Sequence, residues 1–203
     1  METVLKPLDW GVACRAAEPD GVLGDGHLVV RESGGVLIAA IDGLGRGQAA
    51  ADSTKVARVA LAELAGASLE QRMNHCHDRL HGTRGVALSM AWFDDRTSAM
   101  SWLGVGNVEG LLVRRIVPRT TVSTLLLRGG VVGRNLPEVA AATLPVIAGD
   151  TLVFATDGIG PDVERSLISG DPPQRQAERI MVRHYRGHDD ALVVVAMVRS
   201  PAS

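Results

Sequence analysis

Short apolar stretches punctuated by turn residues run through this chain, and the spacing of its apolar positions changes twice. Residues 10–17 and 27–30 read as short strands on either side of a turn rich in Gly, Asp and Pro, from Glu18 to Gly26. Val36–Ile41 is an unbroken apolar run between Gly-Gly and Asp-Gly, the pattern of a buried strand. Beyond a glycine cluster at 43–47, residues 48–65 lack Gly and Pro and are rich in Ala, Leu, Lys, Arg and Glu. That composition predicts a helix ended by Gly66, with Val56, Val59, Ala60 and Leu64 on its apolar face. Ser68 opens a second helix, with Gln71 in the capping-box position and Leu69, Met73, Cys76 and Leu80 as its stripe.

From residue 85 the pattern shifts to strands. Residues 86–93, 98–103, 108–116 and 121–127 follow one another through short turns at Asp94–Thr97 and Gly104–Asn107. Parallel strands need a crossover of a dozen or more residues, so these must be mostly antiparallel. Residues 151–155 and 191–198 predict two further strands, separated by a helix over Pro173–Tyr185 with Ala177, Ile180, Met181 and His184 or Tyr185 inward. Helices and strands are segregated, without strict βαβ alternation. The expectation is an α+β protein of antiparallel sheets covered by helices, with residues 1–203 forming one domain.

Composition narrows the choice of function. With 46% hydrophobic residues over 203 positions the chain can bury a sizeable core, and with 3% aromatics that core must be aliphatic. A net charge of −2 gives no basic excess for nucleic acid or an anionic membrane, so neither is an expected partner. No apolar run approaches the roughly 18 residues of a membrane span, and the first residues do not resemble a signal peptide. Cys14 and Cys76 are isolated, without metal-knuckle or disulfide spacing, and are expected to be reduced, partly buried thiols in the cytoplasm.

The aspartates carry the informative chemistry. Asp42 follows strand 36–41, Asp157 follows strand 151–155, Asp189 and Asp190 precede strand 191–198, and Asp25 precedes strand 27–30. If the last strand runs antiparallel to the other two, these acids share one edge of the sheet. Gathered carboxylates raise each other's pKa unless a cation neutralises them, and hard divalent ions such as Mg²⁺ or Mn²⁺ take oxygen ligands. The Asp42-Gly43 and Asp157-Gly158 pairs would let the backbone turn sharply and expose a carbonyl. Two ions about 4 Å apart could acidify a shared water for attack on phosphorus. Taken singly, each Asp-Gly reads better as a plain turn than as a ligand; taken together, acids at four compatible strand ends favour a metal site.

Asp42-Gly-Leu-Gly-Arg-Gly47, Gly104-Val-Gly-Asn-Val108, Ala155-Thr-Asp-Gly-Ile159 and His188-Asp-Asp-Ala-Leu-Val-Val194 occur in the order found in type 2C metal-dependent protein serine/threonine phosphatases. Across about Gly24 to Val195 the chain resembles the SpoIIE-like bacterial branch, and within it the stressosome phosphatases. The resemblance implies a four-layer αββα sandwich of two antiparallel β-sheets flanked by helices. It implies that Asp42 bridges two Mn²⁺ or Mg²⁺ ions and that the Gly43 carbonyl binds one of them. By the same resemblance Asp157 and Asp189 complete the second ion, Asp25 holds metal-bound water, and Asp190 supports the ligands from behind. The implied substrates are phosphorylated STAS-domain proteins of a stressosome-type complex, hydrolysed at phosphoserine or phosphothreonine. A weakly catalytic regulatory module of the same fold, acting by docking, is the alternative. Leu192 stands where a Thr is frequent, and no N-terminal arginine matches the phosphate-clamping one of larger relatives; Arg15, Arg31 and Arg46 are candidates by proximity.

Other constellations carry less. Gly43-x-Gly45-x-Gly47 has neither dinucleotide nor P-loop spacing and suits a tight strand-to-helix turn. His75, His77 and His81 lack partners for a closed metal set, and no G-x-S-x-G elbow supports a serine hydrolase. His188 beside the last acidic pair is a candidate proton donor, with a plain loop role as its default. Trp10, Trp92 and Trp102 suit core or rim positions, and 121–132 could form an apolar docking surface or simply a covered strand and turn.

Overall fold

The computed structural model describes residues 8–18, 21–116 and 119–199. Strands β1 (Leu8–Arg15), β2 (Asp25–Glu32) and β3 (Gly35–Gly43) lead into helices α1 (Gln48–Glu63) and α2 (Leu69–Arg79). A meander follows, β4 (Val86–Asp94), β5 (Ala99–Val105), β6 (Glu109–Ile116) and β7 (Arg119–Thr124), then β8 (Ala142–Pro145) and β9 (Thr151–Ala155). A 3-10 turn at Val163–Ser166, helix α3 (Pro173–His184) and β10 (Ala191–Val198) complete the order.

The strands form two five-stranded sheets, β1-β10-β9-β6-β7 and β2-β3-β4-β5-β8, antiparallel throughout. Three apolar clusters bind four layers together. Between the sheets, Ile38 and Ala40 of β3 meet Leu192, Val194 and Ala196 of β10, with Phe93, Trp102 and Phe154 among them. On the outer side of the second sheet, Leu37, Ala39 and Ile41 pack under α1 and α2. On the outer side of the first, Ala191, Val193 and Val195 pack under α3. The apolar runs of β3 and β10 do not alternate with polar residues because both faces of each strand are covered. The αββα sandwich implied by the resemblance is the architecture observed.

The helices follow their signals with one correction. Ser68 and Gln71 form the reciprocal capping box, and Leu69, Met73 and Cys76 are buried along α2 with Leu80 just past its end. In α1, however, the buried residues are Ala50, Ser53, Thr54, Ala57, Ala60 and Leu61, while Val59 is exposed. The reason is close approach: a Cβ at Gly43 would overlap the Ala50 carbonyl, and one at Gly26 would press on the Thr54 methyl at 2.5 Å. Small side chains therefore win the inner face over bulkier ones. The expected strand 121–127 stops at Thr124, where Leu125 turns back to donate its N–H to the Gly110 carbonyl at 2.8 Å. Cys14 is exposed rather than partly buried, whereas Cys76 lies in the core and burial pushes its thiol up to about 12. No helix among the described residues is long and apolar enough to cross a membrane.

One polar lock ties α1 and α2 to the sheet. Arg72 is almost fully buried; it donates to the Leu61 carbonyl at 2.7 Å, to the Ala67 carbonyl at 3.2 Å and to Glu32 at 2.7 Å. Glu32 accepts a second bond from the Gly66 N–H at 2.8 Å. Each nitrogen of the Arg72 guanidinium therefore has a partner, and Glu32 Oε2 accepts twice, the kind of hydrogen bonding that lets a buried pair be tolerated.

Candidate functional site

Two strand pairings set the acids. In the β2–β3 ladder Asp25 stands directly opposite Asp42. Because β10 is antiparallel to β9, the residues just after β9 and just before β10 emerge at the same end, bringing Asp157 to Asp189 and Asp190. The expectation of a single sheet edge is corrected in one respect: Asp25 and Asp42 belong to one sheet, Asp157, Asp189 and Asp190 to the other. The two groups meet because β10 packs over β2 and β3, and β9 over β3.

The electrostatics register the meeting. Burial, followed by the charge of Asp42, pushes the Asp25 carboxyl up to about 8; Asp190 and Asp157 add to the effect and a hydrogen bond from Thr156 opposes it. Burial likewise raises Asp42 to about 7, reinforced by Asp157, Asp189 and Asp190 and opposed by Asn107. All five sequence-selected aspartates thus fall within electrostatic reach of Asp42, Asp25 or both.

Neighbouring groups hold these acids in place. Asn107 donates to Asp157 Oδ2 at 2.8 Å and also favours the charged form of Asp42, so one amide acts on acids of both sheets. The Thr156 hydroxyl donates to Asp25 Oδ2 at 2.7 Å and accepts from the Leu192 N–H at 2.8 Å, and so spans the two sheets. Asp190 accepts from the Ala17 N–H at 2.8 Å and the Gly24 N–H at 2.6 Å, using both oxygens to hold the β1–β2 connection. The Arg46 guanidinium reaches Asp189 at 3.3 Å and the His188 carbonyl, and Arg186 donates to the Asp157 carbonyl at 3.1 Å.

Asn107 and Thr156 carry no individual functional signal in the sequence, although both lie inside the motifs quoted for the resemblance. Only the fold reveals what they bond. Thr54, whose hydroxyl donates to the Gly24 carbonyl, has no sequence signal.

The glycines act differently from expectation. Gly43 and Gly158 do not adopt positive φ. They are small because backbone passes against them, Ala50 against Gly43 and the Asp190 carbonyl against Gly158. The tight turn is made instead by Gly45 at φ 87° and Gly47 at φ 70°, a region that disfavours a Cβ.

Among the described residues no three His, Cys, Asp or Glu side chains converge closely enough to form a finished metal cage. The donor chemistry nevertheless fits a hard divalent cation. Every candidate ligand is oxygen, several carboxylates face one another, and the cationic partner of the group, Arg46, is itself 58% exposed. Other candidates have separate occupations. Arg15 stacks over Tyr185 at 4.6 Å and Arg31 pairs with Asp95 at 2.9 Å. His75 bonds Glu63, and His77 accepts from the Gly133 N–H at 2.9 Å while packing edge-on against His81.

The family model described as Stage II sporulation protein E (SpoIIE) matches residues 32–199. Among curated proteins no sequence matches. Among solved structures the chain is similar to one from the bacterial stressosome, a modular system adapted to control secondary messenger signalling. That likeness has 26% identity and a TM-score of 0.85 over 94% of this chain and 100% of that one. RsbX in complex with magnesium aligns at TM-score 0.83 and 19% identity, covering 94% and 95% of the two chains. The PP2C phosphatase domain of the cell-fate determinant SpoIIE from Bacillus subtilis, with a fragment of its regulatory domain, aligns at TM-score 0.81 and 20% identity. There the cover is 98% of this chain and 65% of that chain.

Proposed function

We infer that this chain, which belongs to the SpoIIE family of PP2C-type phosphatases, uses its acid cluster to hydrolyse phosphoserine or phosphothreonine on protein substrates. The observation that carries the reading is the convergence of Asp25 and Asp42 from one sheet with Asp157, Asp189 and Asp190 from the other. Asp42, the Gly43 carbonyl, Asp157 and Asp189 are the groups that would hold Mn²⁺ or Mg²⁺, two ions in our reading. Bound divalent ions supply charge neutralisation and acidified water.

The chain's own residues do the positioning. Asn107 orients Asp157 by a hydrogen bond and favours the charged form of Asp42 across the sheets. Thr156 holds Asp25 Oδ2 by a hydrogen bond and so fixes the orientation of that carboxyl. Asp190, committed to two backbone amides, fixes where Asp189 begins. Arg46 meets the negative charge of Asp189 from the solvent side, where an incoming phosphate ester would also arrive.

For the substrate, we read phosphorylated STAS-domain proteins of a stressosome-type complex. The likeness to a stressosome structure and to RsbX supports this choice. Asp42→Asn or Asp157→Asn is expected to leave the circular dichroism spectrum intact and to abolish Mn²⁺-dependent hydrolysis of p-nitrophenyl phosphate and a phosphoserine peptide. Full activity in either variant would refute the assigned roles. Intact metal binding by the wild type without any hydrolysis would instead select the regulatory-module alternative. The substrate class is checked by treating phosphorylated STAS-domain proteins with the purified chain and following phosphate release by mass.

A further inference from the structure

Helix α3 carries a charge pattern that the fold uses only in part. Its inner face, formed by Pro173, Gln176, Ala177, Ile180 and Met181, is buried against the first sheet. Arg175, Arg179 and Arg183 recur every four residues and therefore line one flank. Arg179 is occupied, bonding Asp171 and the Ser166 carbonyl. Arg175 and Arg183 are exposed, and among the described residues neither has an ion pair or hydrogen bond. The one carboxylate on the helix, Glu178, bonds the Gln174 amide at 2.9 Å. Val182 sits within this surface, 85% exposed. Like charges four residues apart cost a helix a few tenths of a kcal/mol each; Asp171 offsets this at Arg179, while Arg175 and Arg183 have no carboxylate partner among the described residues.

The flank also has a definite position. The end of α3 is fastened to the turn that carries Asp157. The His184 carbonyl accepts the Gly160 N–H at 2.7 Å, and Tyr185 bridges Ile159. Arg186 donates its N–H to the Gly158 carbonyl at 2.9 Å and its guanidinium to the Asp157 carbonyl at 3.1 Å. A line of guanidinium groups therefore starts at the acid cluster and leads away along the helix. From Arg183 to Arg175 it covers about 12 Å at the helical rise, roughly four residues of extended chain.

We propose that this flank of α3 docks an acidic segment of the phosphoprotein substrate, adjacent to the phosphorylated residue delivered to the aspartates. The orientation of the substrate rests on the phosphatase reading above; the docking chemistry does not. Guanidinium forks match carboxylates in paired geometry, so the segment places acidic side chains about four residues apart and an apolar one over Val182. A nucleic acid strand fits the surface less well. The flank offers no aromatic platform for bases.

The test is fluorescence anisotropy in EDTA, where the peptides are not turned over. Two labelled phosphoserine peptides are compared, identical except for glutamates or lysines at four-residue spacing on both sides. The wild type is expected to bind the glutamate peptide at least ~10-fold more tightly, with the preference shrinking as salt rises through the range where exposed charges are screened. Arg175→Glu with Arg183→Glu should invert the preference, and the corresponding glutamine pair should erase it. Equal affinities, undetectable binding of the glutamate peptide, or an unchanged preference in the charge-reversed variant would each overturn the proposal. So would an oligothymidylate that binds as tightly as the glutamate peptide. Metal-dependent hydrolysis is followed separately: its loss with the preference intact removes the phosphatase reading alone, and its presence without the preference removes the docking alone.

Discussion

At the scale of single residues the decisive feature is how buried acids are kept usable. Asp25 is 6% exposed, and its carboxyl would be costlier still to ionise without the Thr156 hydroxyl, which favours the charged form. Thr156→Val removes that donor and also strands the Leu192 N–H. We expect a loss of about 1–3 kcal/mol in denaturant unfolding. Asp25 should rise further, so that calorimetric Mn²⁺ titrations reach their full affinity only at higher pH than in the wild type. Thr156→Ser, which keeps the hydroxyl, should restore both. The sequence made Asp25, Asp42, Asp157, Asp189 and Asp190 legible because strand ends and aspartates are both visible in one dimension. Thr156 and Asn107 act across the gap between two sheets, and no local pattern records which residue will face which acid.

At the scale of elements, legibility depended on whether bulk or closeness governs a face. The stripe of α2 was readable because large apolar residues fill it, and its cap because Ser68 and Gln71 bond locally. The inner face of α1 was not, since its seat against Gly43 selects Ala, Ser and Thr. Strand β8 escaped notice because its residues Ala142–Pro145 are mostly exposed and end on a proline, with little of the β-branched, alternating pattern of a strand. The Arg72–Glu32 lock was equally silent, because two charged residues forty positions apart give no sign that they will be buried together. Arg72→Ala leaves Glu32 charged and buried and should cost about 3–5 kcal/mol in urea unfolding. Replacing both partners by leucine should cost less than the single change.

At the scale of the whole molecule, the acid cluster couples stability to pH. Unfolded, Asp25 and Asp42 lose their protons near 3.8; folded and metal-free, they hold them to about 8 and about 7. Between those values the native state carries more protons than the unfolded one, so stability falls as pH rises from about 4 to about 8 and levels off above. Thermal unfolding in EDTA should show a lower midpoint at pH 8 than at pH 6. Added Mg²⁺ or Mn²⁺, which binds the deprotonated acids, should raise the midpoint more at pH 8. A flat profile in EDTA, or one no different when both acids are changed to asparagine, would contradict this assignment.

Strand β10 lies between β1 and β9 in its sheet, yet among the described strands it is the last in sequence, with Asp189 and Asp190 immediately ahead of it. During synthesis, β1 therefore waits until every other described strand has emerged for the neighbour it must pair with. A nascent polypeptide halted before Asp189 would own Asp25, Asp42 and Asp157 but lack the remaining acids and the strand that joins β1 to β9. In the proposed site the acids do not gather strand by strand; the set closes in one step, when β10 slots home.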